Sequence, residues 1–201
     1  MICRALLLAS CFLALPCQAS LDYAAWSEHN VDGSWTRATE TAVSQSGLTR
    51  AVPSDIKEFC PRYQQLSTKE RRKFWVGLLS AMAKPESGFR PEISYQERFK
   101  DGKGKRVISR GLLQISIESA NQKRYDCDIP HAGLLHDPIV NLSCGVKILA
   151  KWVKEDGVIA SKVKSGTHKG GRRYWSTLRQ QTGHLETIRN FTRDLPICRG
   201  R

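Results

Sequence analysis

Apolar residues recur at helical spacing over two long stretches of the chain and alternate in the manner of a strand almost nowhere. Across 67–83, Phe74, Leu78 and Met82 repeat at every fourth position with Trp75 and Leu79 beside them, which draws one broad stripe down a helix. Ser67 and Glu70 form a capping box at its start, each side chain taking the backbone N–H that the other residue leaves free. Pro85 lacks an N–H and its ring crowds the preceding turn, so the pattern predicts an end or kink at Lys84. A second long helix is predicted over 138–155. Asp137 suits its N-cap, Pro138 its first turn, and Val140, Cys144, Ile148 and Trp152 share its stripe.

Shorter helices are predicted near 54–60, capped by Ser54, over 111–120, near 174–181 and near 185–194. Lys100, Lys103, Lys105 and Arg106, with Gly102 and Gly104 among them, read as a mobile loop within 96–108. Residues 161–173 read as a second basic loop. A small β-hairpin near 93–109 is the one strand expectation, so the fold class is mostly α. Residues 20–52 are polar, rich in Ser, Thr and Ala, and lack sustained periodicity. They are expected to form an extended N-terminal arm, with the compact domain running from Pro53 to the end.

The first 19 residues stand apart. Arg4, the apolar run Ala5–Pro16 and then Cys17-Gln18-Ala19 make a secretory signal peptide, cleaved after Ala19. The run is too short for a confident membrane span. Leu8-Ala9-Ser10-Cys11 resembles a lipoprotein cleavage box, but it would leave a very short leader.

Seven cysteines then sort cleanly. Cys3, Cys11 and Cys17 leave with the leader; Cys60, Cys127, Cys144 and Cys198 remain, an even number in an exported chain. Two disulfides are expected. Four cysteines allow three pairings, of which spacing favours Cys127–Cys144 and Cys60–Cys198. A zinc site would call for a CxxC or HExxH spacing that this sequence lacks. His29, His131, His136, His168 and His184 likewise show no metal spacing.

With 201 residues, one domain with a sizeable core is expected. Thirty-two Lys and Arg against 19 Asp and Glu give a formal charge of +13. Such a surface suits an anionic envelope, a nucleic acid or another acidic polymer without choosing among them.

Candidate chemistry centres on Pro-Glu-Ser-Gly-Phe-Arg-Pro at 85–91 and Ser-Arg-Gly-Leu-Leu-Gln-Ile-Ser at 109–116. Glu86 stands at the end of the first long helix. A carboxyl there, desolvated by Trp75, Leu79 and Phe89, would keep its proton near neutral pH, as a general acid must. Read bluntly, it is a surface glutamate at a helix end. Gln114, between Leu113 and Ile115, is expected to be half-buried.

These segments resemble those of the lysozyme-like lytic transglycosylases. Glu86-Ser87-Gly88-Phe89 with Pro91, then Gly111-Leu112-Leu113-Gln114-Ile115, look like two of the family's signature segments in order. Asn141 with Gly145 and Leu149 looks like a third. The resemblance spans roughly 65–155, about half of the chain. It implies a lysozyme-like α fold with a glycan cleft, acting on peptidoglycan, as a monomer that needs no metal or cofactor and binds no nucleic acid. It implies that Glu86 is the catalytic acid, that Ser87 binds substrate near the scissile bond, and that Gln114 holds the sugar or orients the acid. The family often has an Ala-Tyr-Asn segment late in the domain. The nearest counterpart here is Arg173-Tyr174-Trp175, so Tyr174 is a candidate for the substrate site or for simple core packing.

Within that family one glutamate protonates the leaving oxygen and then deprotonates the muramic acid 6-hydroxyl, giving a 1,6-anhydro sugar. A hydrolase generally needs a second carboxylate. Glu97 and Asp101 are the nearest candidates, and both read as solvated loop charges, which favours transglycosylation. The rival readings are a goose-type lysozyme using water and a non-catalytic glycan- or polyanion-binding module. The export signal implies a periplasmic or extracellular location.

Overall fold

The computed structural model describes residues 23–162, 166–179 and 183–199. The predicted signal peptide lies outside the described residues, as do parts of the predicted loop 161–173 and of the predicted helix 174–181.

The long helices form where the apolar stripes place them. In α2 (Thr68–Ser87) the Ser67 hydroxyl accepts the Glu70 N–H at 3.3 Å and the Glu70 carboxylate accepts the Ser67 N–H at 2.8 Å. In α4 (Pro138–Asp156) the Asp137 carboxylate accepts from the N–H groups of Ile139 and Val140. Phe74, Leu78, Leu79 and Met82 on α2, and Ile148 and Leu149 on α4, are fully buried. At about 25 cal/mol per Å² of apolar surface, such stripes supply the main term holding the two helices in place.

α2 does not stop at Lys84. It runs through Pro85 to Ser87 and closes on Gly88, whose φ is +62° and whose N–H reaches the Lys84 carbonyl at 2.8 Å. A proline forfeits one backbone bond and crowds one carbonyl. So near a helix end, with Gly88 supplying the left-handed cap, the segment stays helical.

Residues 34–46, expected as part of an extended arm, form α1 (Ser34–Ser46), which packs on α2 and α4. Trp35, Thr36, Thr39 and Val43 are buried, and the Trp26 indole N–H donates to the Thr36 hydroxyl at 2.9 Å. Two of the four inward positions are threonines, so the apolar periodicity is broken although the burial is helical. Residues 54–60 form only a short 3-10 turn (Ile56–Glu58), and Asp55 rather than Ser54 is anchored there. Its carboxylate accepts the N–H groups of Ile159 and Ala160 at 2.7 and 2.8 Å.

The expected hairpin is present: β1 (Ser94–Lys100) pairs antiparallel with β2 (Arg106–Arg110), and β2 pairs with the short β3 (Ile115–Ser116). The predicted helix 111–120 is corrected. Residues 111–114 are a tight turn leading into β3, and only α3 (Ile117–Ala120) is helical. Gly111 (φ +74°) and Gln114 (φ +46°) take left-handed backbone that a helix cannot hold. A second two-stranded sheet, β4 (Ala160–Lys162) with β5 (His168–Gly170), occupies part of the predicted basic loop. The chain then makes 3-10 turns at 171–173 and 176–178 before α5 (His184–Asp194), which packs on α2.

Both expected disulfides are formed, Cys127–Cys144 and Cys60–Cys198. The second joins residues 138 positions apart, which in the chain-entropy account constrains the unfolded state by a few kcal/mol.

Candidate active site

The turn 111–114 is the pivot of the site, and three separate elements hold its backbone. Asn141, fully buried at the start of α4, accepts the Leu113 N–H on Oδ1 and donates through Nδ2 to the carbonyls of Arg110 and Leu135, each at 2.9 Å. The Trp175 indole N–H donates to the Leu113 carbonyl at 2.9 Å. The Ser87 hydroxyl lies 3.0 Å from the Leu112 carbonyl and 3.2 Å from the Ala83 carbonyl. Buried backbone polar groups must be paired, and here the pairing welds the end of α2 to the turn. The two glycines in these segments answer to close approach. A Cβ on Gly111 would lie 2.1 Å from the Leu135 oxygen, and one on Gly145 would lie 2.2 Å from the Leu113 side chain.

The weld aims Gln114. Its Nε2 donates to the carbonyls of Gly111 (2.8 Å) and Ile93 (3.3 Å), while its Oε1 is buried without a hydrogen-bond partner. A fixed amide with an empty acceptor on a cleft wall is ready for a ligand donor.

Glu86 lines the same cleft, an open cavity of about 430 Å³ whose wall also carries Glu97, Gln114, Tyr174 and Trp175. The Thr177 hydroxyl donates to Glu86 Oε1 at 2.5 Å. Burial raises the Glu86 pKa to about 7; the Thr177 bond pulls it down and the negative charge of Glu97 pushes it up. The desolvating wall is not the expected one. Trp75 lies eleven residues up the helix, about 16 Å away at 1.5 Å per residue, and bonds to the Tyr63 hydroxyl. Phe89 is turned the other way by its left-handed backbone (φ +64°) and stacks on His29 with ring centroids 4.8 Å apart.

Of the four predicted site residues, three share the cleft. Glu86 and Gln114 are joined there by Tyr174, which comes from the far end of the chain. Its ring lies 4.8 Å from that of Trp175 and 6.0 Å from that of Tyr125. Its hydroxyl is buried near Ser116 and Ser119 without reaching a hydrogen bond of good geometry. Burial drives its pKa up, so the phenol stays protonated and able to donate. Ser87 is 3% exposed, and its hydroxyl is committed to backbone carbonyls rather than to the cleft.

Two more residues belong to the site: Thr177, which sequence reasoning did not name, and Glu97, which it weighed as a second acid and read as a solvated loop charge. Thr177 follows no recognisable pattern; only folding brings a residue 91 positions away onto Glu86. Glu97 sits in β1 rather than in a loop, and the Ser109 hydroxyl on β2 holds its carboxylate at 2.7 Å. The alternation Glu97, Phe99 against Val107, Ser109 across the hairpin was the available signal, since all four line the cleft. Asp101 instead closes the hairpin tip, accepting the N–H groups of Lys103 and Lys105, each at 2.8 Å. Among the described residues, no three His, Cys, Asp or Glu side chains gather as a metal site requires.

Comparison with known proteins agrees with this geometry. A family model described as the transglycosylase SLT domain matches residues 63–182. Three similar solved structures carry the name DslA. The wild-type form 2 shares 43% identity and superposes with a TM-score of 0.82, covering 88% of this chain and 97% of that one. Two glutamate-to-glutamine mutants of DslA share 42% identity with TM-scores of 0.83 and 0.82, covering 88% of this chain and 98% and 97% of those chains. The chain matches no curated protein sequence.

Proposed function

The chain belongs to the transglycosylase SLT domain family, with a lysozyme-like fold and a peptidoglycan substrate, and on that premise we propose that it cuts the MurNAc–GlcNAc β-1,4 bond with Glu86 as its general acid and base. One observation carries the reading: Glu86 is a carboxyl on the cleft wall whose pKa is raised to about 7 by burial. Near neutrality it holds a proton and can also give it up, which the two halves of the reaction require in turn. In the first half it protonates the leaving oxygen. Gln114 Oε1 and the Tyr174 hydroxyl, both buried and unsatisfied, offer an acceptor and a donor to the sugar beside it. Thr177 is a positioning residue, fixing which carboxylate oxygen faces the cleft.

By the chemistry of the family, the second half is internal. Glu86, now ionised, removes the proton of the muramic acid 6-hydroxyl, which attacks the anomeric carbon and leaves a 1,6-anhydro end. A second reading of this step is favoured by Glu97. A hydrolase generally uses two carboxylates, and here the second one faces the same cleft, close enough to raise the Glu86 pKa and steadied by Ser109. The glutamates replaced in the two DslA mutants are eleven positions apart, the separation of Glu86 and Glu97. In that reading Glu97 orients a water, and the product end is reducible.

Mass spectrometry of muropeptides released from purified sacculi tests both. Anhydro ends, lighter by one water, are expected. Water-added ends, together with an inactive Glu97→Gln variant, would establish the hydrolytic ending. Absence of any glycan cleavage would remove the enzymatic reading and leave a glycan-binding module. Export to the periplasm or beyond is part of the same proposal. The two disulfides are compatible with it, and the +13 charge suits docking on an anionic envelope.

A further inference from the structure

The cleft lining is uneven in charge. From the hairpin come Glu97, Phe99, Val107 and Ser109, whose one charge is negative. Another part of the lining is built by Arg124, Tyr125, Trp152 and Arg173. Their rings are already satisfied: Trp152 Nε1 donates to the Tyr125 hydroxyl at 3.0 Å, and the two rings meet edge to face with centroids 6.0 Å apart. The cations differ. Arg173 lies 4.7 Å over the Trp152 ring and is neutralised by a two-pronged pair with Asp156, each bond 2.7 Å. Arg179, also on the cleft wall, donates through Nε to the Arg172 carbonyl at 3.3 Å.

Arg124 is held but not neutralised. Its guanidinium lies 5.5 Å from the Trp152 ring centroid and 5.6 Å from that of Tyr125. Among the described residues no carboxylate comes within 4.0 Å of it. Two aromatic faces fix its place by cation–π attraction without consuming its N–H donors. The Tyr125 ring continues to Tyr174 at 6.0 Å. The wall therefore runs without a break from the sugar-contacting tyrosine to the unpaired cation.

We infer that Arg124 forms a carboxylate subsite of the cleft, and that its ligand is the peptide stem carried by the muramic acid. The inference rests on the peptidoglycan-cleaving reading above. An N-acetylated glycan backbone is uncharged, so the carboxylates of a peptidoglycan strand lie on its stems. A guanidinium with free donors grips a carboxylate through two parallel bonds.

The test uses the full mature chain and two substrates: glycan strands with intact stems, and the same strands with their stem carboxylates capped as amides, since removing the stem with an amidase would leave a carboxylate on the lactyl group. The readout is the ratio of kcat/KM on the first to that on the second. The wild type is expected to favour strands whose stem carboxylates are free. Arg124→Gln should lower the ratio about tenfold, Arg124→Lys should restore part of it, and raising salt to 1 M, where screening acts over about 3 Å, should shrink it in the wild type. Arg124 is exposed, so these variants should fold; circular dichroism checks that. An equal ratio in wild type and Arg124→Gln would overturn the inference while leaving glycan cleavage standing. A wild type that cuts neither substrate would overturn the parent reading, and this one with it.

Discussion

Glu86 and Glu97 line one cleft from opposite kinds of structure. Glu86 closes a twenty-residue helix whose other residues form much of the core, and its carboxyl is held by Thr177 from the far end of the chain. Glu97 projects from a mostly exposed two-stranded ribbon and is held by Ser109 from the adjoining strand. Burial raises the pKa of the first to about 7, and the negative charge of the second adds to the rise. The contrast teaches that proton-donating power here comes from where a carboxyl is anchored. A helix end welded to Leu112 by Ser87 holds its carboxyl where desolvation raises the pKa; the ribbon supplies a charge that acts across space.

The largest effect should come from removing the helix-borne member. Glu86→Gln keeps the size but not the transferable proton, so cleavage of sacculi should fall by ~100–10,000-fold. Turnover near wild type would sink the assignment. The same variant offers a check on burial. A folded pKa near 7 against an ordinary 4.5 means that the wild type loses stability as pH rises from 4.5 through 7, because the folded state holds the proton more tightly. The amide has no such loss. Chemical denaturation should therefore show Glu86→Gln gaining on the wild type over that window.

Smaller effects separate the two partners of Glu86. In the proposed mechanism cleavage uses its protonated form, so activity should decline on an alkaline limb near pH 7. The Thr177 hydrogen bond lowers the pKa, so in Thr177→Val the limb should move to higher pH. The charge of Glu97 raises it, so in Glu97→Gln the limb should move to lower pH. pH–rate profiles of kcat/KM read both. Shifts of the same sign would break the account of how the two regions act on the acid.

The smallest effect concerns the outer surface of the ribbon. Charge reversal at Lys103, Lys105 and Arg106, all exposed, should weaken co-sedimentation with sacculi at low salt and change little at high salt, because exposed charges are screened. Thermal stability should stay within about 0.5 kcal/mol of the wild type, as for surface substitutions generally. Binding unchanged at every salt concentration would leave the cluster as solvated surface alone.

Much of this was written in local patterns. The stripes and caps of α2 and α4 and the presence of a hairpin follow from short-range spacing, both disulfides from the count and spacing of the cysteines, and the segments around Glu86, Gln114 and Asn141 from their resemblance to the family's signature segments. Local reasoning failed where a distant contact outweighed it. α1 buries threonines whose burial no hydropathy stripe announces. The turn at 111–114 carries a helix-like run of apolar residues, but Asn141, Trp175 and Ser87 satisfy its backbone in left-handed conformations instead.

The sequence by itself therefore determined the apolar stripes of the two long helices, where those helices begin and which glutamate stands at the end of one of them. Only the tertiary structure decided what surrounds that glutamate. Desolvation and charge act through space. The groups that tune Glu86 are Thr177, at the far end of the chain and without any local signal of its role, and Glu97, whose strand alternation points to the cleft only once the hairpin has formed.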